Sequence, residues 1–458
     1  MRASVVVDLG FGDAGKGTLV DWLVRSRRAS LVVRWNGGAQ AGHNVVLEDG
    51  RHHTFSQLGA GTFVPGVRTH LSEDVVVHPT ALLVEARVLA DKGVTDALDR
   101  LSIAQSARVI SPFHQAANRL RDLARSDPHG TCGVGVGEAV RDALAHPGEA
   151  LRMHHVVGDK TALESLLGRV QERIRASLAG IMTEVSGEAE WAILDDGSVV
   201  KQWVDAIEPL RRRRVVTSDD MVSTLWRDRS IVLEGAQGVL LDEQFGFHPH
   251  TTWSCCTPAL ASSLLRRHGW GGDVETIGVL RAYATRHGPG PFPTEDSCLV
   301  NALPEPHNGS EGWQGAFRRG WPDLVLARYA RDACGSLDAL AITHLDRLGG
   351  LPKWKAARAY EGVDPDLGTL GRDGLCLNLL SGDLSHQQRL MQALQHARPV
   401  YEALPSDPER FVERIEAELG LPVTVTSFGP TALDKRHRRH EAERECNHLD
   451  GTPGSPVR

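Results

Sequence analysis

Cysteine is scarce in this chain, with 7 in 458 residues, and the only neighbouring pair, Cys255-Cys256, forms no Cys-x-x-Cys unit. That excludes a disulfide framework, and the expected setting is a reducing cytoplasm. No apolar run reaches the length of a membrane span, and the chain opens directly into a strand pattern without a signal-peptide run. Excess positive charge is missing too: a net charge of −7 gives no field toward nucleic acid or an anionic membrane. Internal repeats and long linkers are absent. What remains, 41% hydrophobic and 24% charged residues, is an ordinary soluble globular composition, in a chain long enough to bury a large core.

The most informative stretch is Ser4-Val5-Val6-Val7-Asp8-Leu9-Gly10-Phe11-Gly12-Asp13-Ala14-Gly15-Lys16-Gly17-Thr18. An apolar β-branched run ends in a glycine loop, whose backbone N–H groups can approach phosphate oxygens beside the point charge of Lys16. Gly10-x-Gly12-x-x-Gly15 fits a dinucleotide fingerprint, but the next strand-like run, Leu31-Val32-Val33-Arg34-Trp35, ends in no acid for a ribose hydroxyl. That removes a nicotinamide-dependent dehydrogenase. Gly10-x4-Gly15-Lys16 fits a phosphate-cradling loop, with Gly17 where Ser or Thr usually meets magnesium. Asp13 is then the acidic group for metal or proton work.

Further strand-like runs, Ser230–Glu234, Thr276–Arg281 and Leu337–Thr343, alternate with helical patterns such as the one opening at Pro79. The expected architecture is α/β, a large, mostly parallel central sheet surrounded by helices, with ligands beyond the carboxyl ends of the strands. One catalytic domain is expected over residues 1–433. The stretch 434–458, with Lys435-Arg436-His437-Arg438-Arg439-His440, reads as a charged, flexible tail; its His437, His440, Cys446 and His448 fit no common zinc spacing.

Other loops carry chemistry. His43 follows a glycine-rich turn, where an imidazole can stabilise charge on a β–γ phosphate bridge. Gln237, in Glu234-Gly235-Ala236-Gln237-Gly238, offers both donor and acceptor to a heterocyclic amide edge. Thr285-Arg286-His287-Gly288-Pro289-Gly290-Pro291-Phe292-Pro293-Thr294-Glu295 is a stiff loop with an arginine near its start. Asp346, in Thr343-His344-Leu345-Asp346, can accept from both N1–H and the 2-amino group of guanine, a donor pair adenine lacks.

These motifs, with Gly130–Gly137, Gly320-Trp321-Pro322-Asp323 and Ser427-Phe428-Gly429-Pro430, resemble the adenylosuccinate synthetase family in order along nearly the whole chain. The resemblance implies a P-loop-like GTP-binding fold and a two-step, Mg2+-dependent ligation in purine biosynthesis. The 6-oxygen of IMP attacks the γ-phosphate of GTP, and the amine of aspartate then displaces phosphate to give adenylosuccinate. By position it implies Asp13 as general base and magnesium ligand, Lys16 as phosphate clamp, His43 as stabiliser of the leaving diphosphate and Gly42 as a carbonyl ligand of the metal. Gly12, Gly15, Lys16, Gly17, Asp346, Ser427 and Gly429 would hold GTP; Gln40, Thr131, Cys132, Gln237 and Thr252 would hold IMP. It also implies a homodimer, in which a partner arginine reaches the nucleotide phosphate.

The departures bear on specificity. Ala14, Ala39, Gln40 and His344 replace the family's usual Glu, His, Asn and Lys. The partner-reaching arginine has become Val134, with Arg141 as a candidate replacement. In the run 309–320 only Arg318 falls on an arginine of the family's amine loop, which leaves Arg286, Arg318 and Arg319 as candidates for the amine substrate's carboxylates. Alternative readings are a divergent ligase with another amine donor or a modified purine acceptor, and a GTP-binding protein without catalysis.

Overall fold

The computed structural model describes residues 1–125, 130–181, 187–227, 229–305, 308, 313–372 and 374–438. Among these, ten strands make one sheet: β1 (Arg2–Asp8), β2 (Leu31–Arg34), β3 (Arg68–Leu71), β4 (Leu101–Ala104), β5 (Val216–Thr217), β6 (Ile231–Glu234), β7 (Asp273–Arg281), β8 (Ala339–Thr343), β9 (Val423–Ser427) and β10 (Lys435–His437). Their spatial order is β10-β9-β8-β7-β1-β6-β2-β3-β4-β5. Every pairing is parallel except that of β10 with β9.

The valine-rich runs become interior strands because helices cover both faces of the sheet. Period-two alternation divides each strand between two cores: Val5 and Val7 join Leu31, Val33 and Leu233 on one face, while Val6 joins Val32 and Val232 on the other. The β-branched runs at Ile231, Thr276 and Ala339 fall in β6, β7 and β8, as the sequence pattern leads one to expect. Val76–Val77 pairs instead with Arg108–Val109 in a separate two-stranded ribbon. The helix after it, Pro79–Asp91, does begin on Pro79.

Topology places the site. From β1 the chain passes through α1 (Lys16–Ser26) to β2–β5 on one side, returns as β6 between β1 and β2, and then fills the other side with β7–β10. The carboxyl ends of β6, β1 and β7 thus lie side by side where the winding reverses, which is where open α/β sheets bind ligands. Asn36, just beyond β2, ties two of the emerging loops: it accepts from Ala236 N at 2.7 Å and donates to Ala236 O at 3.2 Å and Cys255 O at 2.9 Å.

The expectation of a flexible tail from Asp434 is corrected at its start. Ser427 pairs with Lys435 and Val425 with His437, because the open edge of β9 offers unpaired backbone groups to the returning chain. Residues 439–458, including His440, Cys446 and His448, lie outside the described residues. Asn36 is fully buried. Asn36→Ala therefore strands the Ala236 N–H, and a loss of about 2–3 kcal/mol is expected, measured as a lower denaturant midpoint.

Candidate active site

Asp8, at the end of β1, organises the phosphate loop. Its carboxylate accepts from Gly10 N at 2.8 Å, Ala14 N at 2.9 Å and Lys16 Nζ at 2.8 Å, and both ends of the ion pair are buried. The sequence reading passed over Asp8, although an acid closing an apolar strand eight residues before a loop lysine was the available signal. Gly15 caps α1 in the left-handed region at φ 90°, and the loop points the first turn of the helix into a cavity of about 390 Å³. Gly12, Asp13, Gly15, Lys16, Gly17, Gly42, His43, Asp346, Ser427 and Gly429 all line it.

The missing hydroxyl at Gly17 has a steric cause. A Cβ there would stand 2.8 Å from His43 C and 2.9 Å from Asn44 O, so the backbone carrying His43 occupies the space a Ser or Thr would need. That close approach sets the imidazole beside the loop. His43 Nδ1 meets the carboxylate of Glu234, whose other oxygen accepts from Ala60 N at 2.9 Å. Burial pulls the imidazole down to about 4, against the pull of Glu234. Since the carboxylate can only accept, Nδ1 carries the proton of the neutral ring and Nε2 is the acceptor.

Asp13 sits in the same loop at φ 59°, an uncommon backbone region for a non-glycine residue. Arg281, at the end of β7, donates from Nη1 to the Asp13 carbonyl at 3.0 Å and is itself held by Tyr283 and Glu305. Burial raises the Asp13 carboxyl above its ordinary value; the Lys16 ammonium opposes that and the Asp8 charge adds to it.

A second cavity of about 660 Å³ adjoins the first, and Gln40, Cys132 and Gln237 line both. Thr131, Val134, Arg141, Thr252 and Arg286 line the second. The side-chain oxygens of Gln40 and Gln237 are buried without a hydrogen-bond partner, and a buried acceptor left so costs free energy until a donor arrives. Cys132 is no thiolate: burial pushes it up to about 11. Arg141 lines the cavity, but its guanidinium donates to Glu138 at 2.5 Å and lies over Trp253.

The three candidate arginines separate by strand register. In the hairpin Ala284–His287 with Phe317–Gly320, Arg286 pairs with Arg318 and Arg319 with Thr285, so Arg319 projects to the opposite face. Arg319 donates to Leu303 O at 2.7 Å. Arg318 is engaged by Glu295 at 3.1 Å and by Gly290 O at 2.7 Å. Arg286 lines the second cavity, which Arg318 and Arg319 do not. It is buried against Phe11 and donates to Pro289 O and Pro291 O at 3.0 Å each. No carboxylate among the described residues pairs with it, and burial, with the nearby Arg318 charge, pulls it down to about 9. Gly309 to Gly312, in the expected amine loop, lie outside the described residues.

A family model described as adenylosuccinate synthetase matches residues 5–435. The chain belongs to the adenylosuccinate synthetase family. It is 31% identical to the adenylosuccinate synthetase of Halothermothrix orenii over 464 residues, covering 96% of this chain and all of the relative. It is 32% identical to that of Psychromonas ingrahamii, covering 93% and 96%. Two solved structures share the fold. The fully ligated adenylosuccinate synthetase of Plasmodium falciparum superposes with a TM-score of 0.75 at 21% identity, over 95% of this chain and 99% of that one. The succinoaminodeoxyadenylate synthetase of cyanophage S-2L, bound to dGMP and to dATP as an energy donor, gives 0.59 at 18% identity, over 98% of each. The family is one of GTP-dependent ligases, and the large, mostly parallel sheet is its fold.

Two outcomes follow from the loop geometry. Gly17→Ser, which restores the usual phosphate-loop residue type, is expected to cost about 1–3 kcal/mol and to lower activity, read by thermal melting and phosphate release. Asp13→Asn is expected to melt higher than the unaltered protein at pH 7. A raised folded value means the carboxyl favours folding when protonated and opposes it as pH climbs through that value, so the advantage of the amide vanishes below about pH 4.

Proposed function

We propose that this protein joins IMP to aspartate at the expense of GTP, releasing GDP and phosphate and forming adenylosuccinate. The observation that carries the reading is the meeting of two cavities at Gln40, Cys132 and Gln237, with Asp13, Lys16 and His43 facing the first. GTP occupies the first, its phosphates over the glycine loop and its guanine toward Asp346, Ser427 and Gly429. IMP occupies the second, its base toward Gln237 and Gln40, its ribose phosphate near Thr131, Cys132 and Thr252.

Asp13 takes the N1 proton of IMP as the 6-oxygen bonds to the γ-phosphorus and the bond from that phosphorus to the β–γ bridging oxygen breaks. The raised proton affinity of a partly buried carboxyl suits it to that task. Lys16 follows the charge on the phosphates. His43, held neutral by burial, gains proton affinity when polyphosphate adds negative charge, and as an imidazolium it donates to the leaving diphosphate. The amine then attacks C6 and phosphate departs, a good leaving group where an oxo group was a poor one.

The residues present fit Mg2+. Among the described residues no three His, Cys, Asp or Glu cluster as a metal cage, and this ion commonly takes one or two protein carboxylates, its other ligands coming from phosphate and water. The Asp13 carboxylate and Gly42 carbonyl would hold it, and bound there it supplies neutralisation of the phosphate charge.

Arg286 is the proposed contact for an aspartate carboxylate. A second reading, the same activation step with another amine or a modified purine, is favoured by the engagement of Arg318 and Arg319 elsewhere, which leaves one arginine for two carboxylates. The working unit is proposed to be a homodimer in the cytoplasm; among the described residues no helix is long and apolar enough to cross a membrane.

Phosphate release from GTP and Mg2+ with IMP, with and without aspartate, tests the reading when products are weighed by mass spectrometry. Aspartate-dependent release with an adenylosuccinate mass is expected, and Arg286→Leu should raise KM for aspartate at least tenfold, the loss of about 1.4 kcal/mol or more. Release that ignores aspartate but responds to another amino acid or purine nucleotide would select the second reading. An adenine nucleotide in place of GTP, such as the dATP bound as energy donor in the phage enzyme, tests the role of Asp346.

A further inference from the structure

The segment 427–431 flanks the base end of the first cavity, and its backbone is held from an unexpected direction. The ammonium of Lys435 donates to Gly429 O at 3.0 Å, to Thr431 O at 2.7 Å and to the Thr18 hydroxyl. That hydroxyl in turn donates to Pro430 O at 2.7 Å. Three consecutive carbonyls are therefore fixed by one lysine and one threonine, and Thr18 belongs to the first turn of α1, two residues after Lys16. Asp434 closes the segment from the other side, accepting from Thr431 N at 2.8 Å and Thr431 Oγ1 at 2.7 Å, while its carbonyl accepts from Phe428 N. The packing is tight enough that a Cβ on Gly429 would lie 2.6 Å from the Asp434 carboxyl.

Lys435 is 6% exposed. An ammonium buried to that degree must have its donors satisfied, and here all three hydrogens have an acceptor. We propose that Lys435 is a positioning residue for the nucleotide base: it locks the 427–431 wall to the phosphate-loop helix, so the base and phosphate ends of the nucleotide site keep one fixed separation. The inference rests on the reading of this cavity as the GTP site. It assigns a binding role to a residue that the sequence pattern puts in a solvated basic tail.

Fixing that separation in advance removes an ordering cost from nucleotide binding. It acts on GTP and leaves the second cavity alone, which distinguishes positioning from general support of the fold. Burial pulls the amine down to about 8, opposed by the charges of Asp434 beside it, Asp21 from α1 and Asp346 from the turn after β8. Asp21 is itself paired with Arg25, and Asp346 with Arg347.

Equilibrium binding of GTP and of IMP to the full chain, each followed by calorimetry, tests this with Lys435→Met. GTP affinity is expected to fall about tenfold with IMP affinity unchanged. In the unaltered protein GTP affinity should also weaken as pH rises past about 8, a slope that Lys435→Met lacks. Thr18→Val keeps the lysine but removes the hydroxyl that links it to α1, and the same selective loss is expected there, which covers the case in which Lys435→Met does not fold. A folded Lys435→Met or Thr18→Val protein that binds GTP as its parent does overturns the inference alone. A parent that binds no GTP overturns the GTP reading of the cavity, and this inference with it.

Discussion

The carboxylate of Asp8 is the constraint on which the rest of the site depends. It ends the central strand, is fully enclosed, and gathers two loop amides and the Lys16 ammonium, so the phosphate loop folds around an internal anion before any ligand arrives. A buried ion pair of this kind is a weak source of stability, because desolvation of both charges offsets most of their attraction. Its use here is geometric. Lys16 is held at the first turn of α1, where on the proposed reading an entering phosphate group would compete with Asp8 for a cation already in place. The Cβ-free Gly17 completes the arrangement by letting the His43 backbone come within contact of the same turn.

Burial keeps the charge of the first cavity low from both directions. Burial raises the proton affinity of Asp13 and lowers that of His43, so each is biased toward its neutral form. Both displacements have the same cause, the cost of holding a charge away from water. The two displacements differ in what reverses them. A cation nearby favours ionised Asp13, whereas a polyphosphate favours protonated His43, so on the proposed reading nucleotide and its cation would ready both groups together.

Much of this was legible in the chain. Valine-rich runs ending in glycine or polar loops marked β1, β6, β7 and β8, since strands buried on both faces require continuous apolar sequence. Asp13, Lys16, His43, Gln237 and Asp346 were readable because each follows such a strand. What could not be read depends on register and return of the chain. Arg318 and Arg319 are neighbours in sequence, yet the pleat sends them to opposite faces, and only the pairing of Arg286 with Arg318 tells which is which. Lys435 lies in a basic run whose composition resembles a solvated tail, and its burial follows from the open edge of β9 that the run closes. Asn36 and Glu234 sat inside recognised motifs, but their partners, Ala236 with Cys255 and His43 respectively, are brought to them from distant strands.

The arginine geometry narrows what the amine site can be. Two carboxylates on one small ligand call for two cations or one cation and a set of neutral donors. Arg286 is rigid: Phe11 lies under its guanidinium, and Pro289 and Pro291 carbonyls take two of its donors in a loop stiffened by three prolines. Arg318 is already neutralised by Glu295, and freeing it for a ligand would leave that carboxylate without its partner. On the proposed reading, selectivity for a dicarboxylate over a monocarboxylate amine depends on what else lines the second cavity beside Arg286. That cavity is lined by Arg121, Arg125 and Arg141 as well as by the neutral Thr131, Thr252 and Gln314, and Arg141 is already engaged by Glu138. On that reading Arg286 holds one carboxylate, and the identity of the amine rests on which of these cations and neutral donors meets the other.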